Sequence, residues 1–178
     1  VDHRSRLHRG AVTVTPLLAL GVLGSGCGAV DAAPTTATTA ASDLPTEAIE
    51  LQIVNVLDGD SLLASDGSNE IEIRLGGINA PERDECLGRE ARDALTELAG
   101  DHVLASLRDR DQFDRTIAQL HTPDGQWING LMVAAGWAVT LSDAGDATTE
   151  AELDTLIAAQ HSATRGGIGL WATLACGA

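Results

Sequence analysis

Glu70-Ile71-Glu72-Ile73-Arg74-Leu75-Gly76-Gly77-Ile78-Asn79-Ala80-Pro81-Glu82 changes character halfway along. Up to Leu75 it alternates. Ile71, Ile73 and Leu75 face one way, Glu70, Glu72 and Arg74 the other, as in a strand buried on one face. From Gly76 onward two glycines and a proline impose a kinked exit. An arginine opposite the apolar face, just before such a kink, marks a candidate site.

Upstream, Leu51–Leu57 is a mostly apolar run suited to a buried strand, and Ser61–Ser65 is a second, shorter one. Asp66-Gly67 supplies a hairpin turn before the third, because glycine tolerates the positive φ such turns need. Downstream the period changes. Leu87, Ala91, Leu95 and Leu98 recur at helical spacing and predict a helix over Arg83–Leu98, stopped by Gly100. His102–Leu107 and Arg115–His121 read as two more strands, and Thr122-Pro123-Asp124-Gly125 as a turn. Trp127–Ala135 reads as a helix through Ile128, Leu131, Met132 and Ala135. Thr149-Glu150-Ala151-Glu152 matches a capping box for a last helix that Gly166-Gly167 ends. Five short strands with a helix after the third is the order of an oligonucleotide-binding (OB) barrel. The expected class is therefore α+β, mainly β: a five-stranded OB-fold barrel with about three helices.

Composition limits what such a barrel does. The 178 residues carry 26 acids against 11 arginines and no lysine, for a net charge of −15. A broad basic face for polyanions is excluded. At 44% hydrophobic residues the chain is not wholly disordered. With one phenylalanine, three tryptophans and no tyrosine, the core must be aliphatic.

Three segments carry chemistry. Asp58-Gly59-Asp60-Ser61 lies at the turn after strand one, Arg74 through Glu82 at the end of strand three, and Asp111-Gln112-Phe113-Asp114-Arg115 at the entry to strand five. Taken singly, each is a polar turn or a solvated charge. A strand order that brings them to one end of a barrel gathers two arginines, several oxygen donors and a spare carboxylate. Arginines donate paired hydrogen bonds to phosphate oxygens and keep their proton at working pH. A hard divalent cation takes oxygen ligands and stabilises an in-line displacement. A carboxylate off the metal can orient or deprotonate the attacking water.

These strings, in this order and at this spacing, resemble the staphylococcal nuclease (thermonuclease) family. So do Ile128-Asn129-Gly130-Leu131-Met132-Val133-Ala134-Ala135-Gly136-Trp137-Ala138 and the closing Gly169-Leu170-Trp171. The likeness covers roughly residues 50–171. It implies a calcium-dependent nuclease that hydrolyses phosphodiester bonds of single-stranded or denatured DNA, of RNA, or of both, leaving the 3′ product end phosphorylated. It implies Asp60, Asn79 and the Ala80 carbonyl as calcium ligands, with Asp58 as a nearby outer acid. Glu82 would be the general base, and Arg74 and Arg115 would hold the scissile phosphate. Asn79 stands where the best-studied members have aspartate, which should weaken calcium binding. Asp114 replaces the usual glycine, and the family's tyrosines and lysines of the nucleotide pocket are absent, so poor substrate affinity is expected. The alternative is a catalytically weak OB-fold binding module at the cell surface. A monomer is expected in either case.

The N-terminal third reads separately. Arg4, Arg6 and Arg9 precede an apolar run, Ala11–Leu23, that spans roughly 20 Å as a helix, short of the ~30 Å hydrocarbon core. A basic start and a short apolar run is an export pattern. Leu23-Gly24-Ser25-Gly26-Cys27 resembles a bacterial lipoprotein cleavage site. Residues 1–27 are expected to be a signal peptide with Cys27 lipidated as the membrane anchor; ordinary cleavage after Ala32 is the alternative. Residues 28–48, rich in Ala and Thr, cannot bury enough apolar surface to fold and read as a tether to the 49–178 domain. The expected location is the outer face of the cytoplasmic membrane, or secreted. In an exported chain the two remaining cysteines, Cys86 and Cys176, predict one disulfide, with two buried thiols as the alternative. Closing that loop would contribute roughly 4–5 kcal/mol in the chain-entropy model.

Overall fold

In a computed structural model, residues 47–141, 148–172 and 176 are described. The leader, Cys27 and nearly all of the tether lie outside them. Eleven elements follow in chain order: β1 Ile49–Val56, β2 Ser61–Ser65, β3 Glu70–Leu75, β4 Ile78–Asn79, α1 Gly88–Ala99, β5 His102–Arg110, β6 Thr116–His121, α2 Ile128–Ala134, β7 Val139–Thr140, α3 Glu150–Gly166 and the 3₁₀ turn Gly169–Trp171. Five strands close a barrel in the order β1-β2-β3-β6-β5. All neighbours pair antiparallel except β3 and β6, which run parallel with Arg74 opposite Ile117 and Leu75 opposite Ala118. This is the α+β, OB-type barrel with three α-helices that the pattern implies.

The inward faces follow the alternation. Ile73 and Leu75 on β3, Leu62 and Ala64 on β2, Val103 and Ala105 on β5 and Ala118 and Leu120 on β6 are essentially inaccessible. Ala91, Leu95 and Ala99 on α1 join that core at helical spacing, as do Ile128 and Met132 on α2 and Leu156 on α3. Packing is almost wholly aliphatic, with Trp127 and Trp137 half-buried against it. The capping box of α3 is formed. The Thr149 hydroxyl accepts from the Glu152 amide at 3.3 Å, and the Glu152 carboxylate accepts from the Thr149 amide at 2.7 Å, a pairing worth about 1 kcal/mol.

Two expectations need correction. The first helix starts at Gly88, not Arg83. Residues 82–87 form successive turns instead, with Glu85 N–H bonded to Glu82 O and Gly88 N–H to Glu85 O. Leu87 adopts a left-handed φ of 65° and breaks the helical run. Gly88 is required there, because a Cβ would lie 1.8 Å from the Glu82 carbonyl oxygen. The barrel is also supplemented by a two-residue ribbon, β4 with β7, in which Ile78 faces Thr140 and Asn79 faces Val139. Cys86 and Cys176 are disulfide-bonded, 90 residues apart.

Candidate active site

Two chain segments, the β1–β2 turn and the stretch from Arg74 to Ala80, are bonded to each other at the β3 exit, and a third, 111–115, leads into the strand alongside β3. The turn between β1 and β2 closes on itself, with Leu57 N–H bonded to Ser61 O at 2.9 Å and the Asp60 amide donating to Asp58 Oδ1 at 2.9 Å. Gly59 lets this turn lie against its neighbours: a Cβ there would come within 2.6 Å of the Ala80 Cβ and 2.7 Å of the Ala91 Cβ. Asp60 is thereby carried inward and is only 5% exposed.

Asp60 is the hub. Its Oδ1 pairs with Arg74 Nη1 at 2.8 Å and accepts from the Ser61 hydroxyl at 3.2 Å. Its Oδ2 accepts from the Ala80 amide. Burial pushes the carboxyl up from 3.8 to about 6, against the pull of Arg74 and the Ala80 N–H; the Asp58 carboxylate also raises it. Arg74 leaves β3 on its outer face, and both of its Nη atoms have partners. Nη2 donates to Asn79 Oδ1 at 3.0 Å, and Nη1 also reaches the Leu75 carbonyl at 3.3 Å. One guanidinium thus joins Asp60 to Asn79.

Arg115 reaches the same end of the barrel through the parallel pairing. Ile117 sits opposite Arg74, so Arg115 lies one strand over and two residues back, on the side Arg74 takes. Its guanidinium is held locally, with Nε and Nη2 both 2.7 Å from Asp111 Oδ2. Asp111 Oδ1 accepts the Phe113 and Arg115 amides at 2.9 and 3.0 Å. Desolvation would raise this carboxyl, but the bonds from Arg115 and the two amides outweigh it and hold it below its ordinary 3.8. Asp114 adopts the positive φ, 65°, at which glycine is usual. Glu82 lies in the turns ahead of α1, exposed. Among the described residues its carboxylate has no hydrogen-bond or ion-pair partner.

Asp58, Asp60, Arg74, Asn79 and Ala80 are therefore joined in one bonded network. Arg115 stands beside it by strand register, and Glu82 follows three residues after Asn79. No cluster of three or more His, Cys, Asp or Glu gathers among the described residues. The oxygen donors the hydrogen bonds bring together are the Asp60 carboxylate and the Asn79 amide oxygen, with the Ala80 backbone held beside them through its N–H. An all-oxygen set of this kind fits a hard divalent cation that keeps water in its shell.

One wiring residue escapes sequence reasoning. Asn129, fully buried at the start of α2, donates to the Gly76 and Ala118 carbonyls at 2.9 and 3.3 Å and accepts the Leu120 amide at 2.9 Å. It fixes the β3 exit against β6. In the sequence it stands as an amide inside the apolar run Ile128–Val133, within a string that carries the family likeness but says nothing of its bonds.

A closed five-stranded barrel carrying an arginine–carboxylate network at the end of β3 defines an OB-type protein. Residues 72–173 match the family model for staphylococcal nuclease homologues, and the chain belongs to that family. It is 39% identical over 88 residues to an Escherichia coli protein named uncharacterized endonuclease, covering 49% of this chain and 58% of that one. It is 32% identical over 124 residues to a Haemophilus influenzae protein of the same name, covering 68% and 65%. With a Shigella flexneri micrococcal nuclease it shares 33% over 96 residues, 49% of this chain and 55% of that one. The chain spans less than two thirds of these curated relatives.

Proposed function

We propose that this chain is a nuclease that hydrolyses phosphodiester bonds of DNA, RNA or both at the cell exterior. The observation that carries the reading is the Asp60–Arg74–Asn79 network at the β3 exit, with Arg115 beside it across the parallel pair. Arg74 and Arg115 bind and orient the phosphate and donate to its equatorial oxygens, which gain charge in the transition state. Glu82, exposed and unpaired, is free to take a proton from water on the far side of the phosphorus from the leaving oxygen. Asp60, Asn79 Oδ1 and the Ala80 carbonyl would hold calcium, with Asp58 orienting the turn behind Asp60. When bound, that ion would neutralise phosphate charge and support the in-line displacement. Location outside the cell, through lipidated Cys27 or by secretion, is supported by the Cys86–Cys176 bond, since disulfides persist in oxidising compartments.

A gel assay of the full chain on single-stranded DNA and on RNA, in millimolar calcium and then in chelator, tests this. Cleavage in calcium, lost in chelator, is the expected result. If neither polymer is cut, and Asn79→Asp does not restore cutting, the surface-binding reading replaces it.

A further inference from the structure

The Glu82 carboxylate is carried by a stretch with no buried residue, from Glu82 to Leu87. The hydrogen bonds that shape this turn are local. The Glu85 amide donates to the Glu82 carbonyl and the Glu82 amide to Glu85 Oε2, both at 2.9 Å, and the Gly88 amide donates to the Glu85 carbonyl at 3.1 Å. Close packing does not hold the turn either. Pro81, Glu85 and Cys86 line an open cleft of about 440 Å³ with Val139 and Leu170.

A covalent tie does reach out of it, from Cys86 to Cys176. The chain ahead of Cys176 is itself fixed. The Leu170 amide donates to the Gly136 carbonyl at 2.9 Å, just past the end of α2, and a Cβ on Gly169 would lie 2.3 Å from that same oxygen. Asp60, Asn79 and Ala80 are held differently, by Arg74 and by the Ala80 N–H, with no part played by the disulfide.

We propose that Cys86 and Cys176 are positioning residues: their bond fixes the 82–87 turn to the C-terminal stretch and so holds the Glu82 carboxylate in place for the attacking water. The inference rests on the nuclease reading, in which Glu82 is the base. A general base must stand within hydrogen-bond reach of the proton it takes, and a misplacement of about 1 Å can cost on the order of 10² in rate. Both cysteines are exposed, and exposed disulfides are the readily reduced ones. A dithiol would open this bond in two exchanges. One of its thiolates attacks a sulfur and breaks the S–S bond, and its second thiolate then displaces the mixed disulfide. Two electrons pass to the protein, the reductant leaves as its own disulfide, and its two protons end on Cys86 and Cys176. A chain made with reduced thiols would be a slow nuclease until an oxidising compartment closed the bond.

The test is cleavage of single-stranded DNA by the full chain in calcium, read as kcat and KM, with calcium affinity measured by calorimetry in parallel. Cys86→Ser and Cys176→Ser, made together, should lower kcat about tenfold or more and leave KM and calcium affinity unchanged. On a Glu82→Gln background the same two changes should cause no further fall, because the base they position is already gone. A dithiol should slow the wild type to the same extent, reoxidation should restore it, and neither treatment should alter the variant without the bond. An unchanged kcat, an equal further loss on the Glu82→Gln background, or a matching loss of calcium affinity from a fold loosened as a whole overturns the positioning role and leaves the nuclease reading standing. No cleavage by the oxidised wild type overturns both.

Discussion

Asp60 with Arg74 and Asp111 with Arg115 are two carboxylate–arginine pairs of nearly equal length, 2.8 and 2.7 Å, at one end of one barrel. Their surroundings set them apart. Asp60 lies deep among β2, β3 and the Ala80 turn, with its side chain 7% exposed, and burial raises its carboxyl to about 6. Asp111 folds a local loop around itself, collecting amides and a guanidinium, and its carboxyl is lowered. The first pair is held by distant parts of the chain in a desolvated place, where fixed charges act strongly on a bound group. The second is built within five residues and survives on local geometry.

The largest expected effect tests that contrast directly. Asp60→Ala leaves Arg74 buried without its carboxylate, a loss of about 3 kcal/mol or more by the usual cost of breaking a buried pair. Activity and calcium dependence should vanish together. Asp111→Ala should cost only about 1 kcal/mol, since its partners can turn to water. Chemical denaturation of both variants measures this, and equal destabilisation would break the comparison.

Next come the groups that act on the phosphate. Arg74→Ala should lower kcat by on the order of 10²–10³ with a smaller change in KM, because its donors meet more charge in the transition state than in the substrate. Glu82→Gln keeps the shape, loses the base and should also fall mainly in kcat. A loss confined to KM for Arg74→Ala would reassign it to ground-state binding.

A smaller change is expected from Asn79→Asp. Arg74 bridges the Asp60 carboxylate and the neutral Asn79 amide. A second carboxylate adds ligand charge, on which calcium affinity depends. Calcium titration of the variant, followed calorimetrically, should show tighter binding. Unchanged affinity would mean that position 79 stays on Arg74 and never reaches the cation.

Much of this was readable from local strings. The alternation of Ile71, Ile73 and Leu75 placed β3 and put Arg74 outside the barrel; Thr149 and Glu152 announced α3. What was not readable depends on contacts far apart in the chain. Ile78–Asn79 is too short to show a strand pattern and exists only because Val139–Thr140 pairs with it. The late start of α1 follows from a left-handed Leu87 and from Gly88 lying against the Glu82 carbonyl. Leu87 itself sits at a helical spacing and misleads. Asn129 looks like one polar residue in an apolar helix, and its bonds to Gly76 and Leu120 are invisible without the packing.

The smallest effect sharpens the comparison through the sign of a pH slope, measured by thermal melting in chelator so that no cation intervenes. Asp60 binds a proton more readily folded, near 6, than unfolded, near 3.8. Between those values the native state holds more protons, so Asp60 adds stability as the pH falls from about 6 toward 3.8. Asp111 runs the other way. Its folded pKa is below 3.8, so its contribution is present above that value and is lost only as the pH falls beneath it. His121 complicates the same window, because burial lowers its pKa from 6.5 and it therefore loses stability on acidification below 6.5. Comparing wild type with Asp60→Asn removes that complication, since His121 is common to both. Relative to the variant, wild type should gain a few degrees in Tm from pH 6.5 to 4.5, while Asp111→Asn should track wild type over the same range. Parallel curves for wild type and Asp60→Asn would mean that burial does not govern Asp60, and that its tie to Arg74 keeps it as acidic as the loop carboxylate.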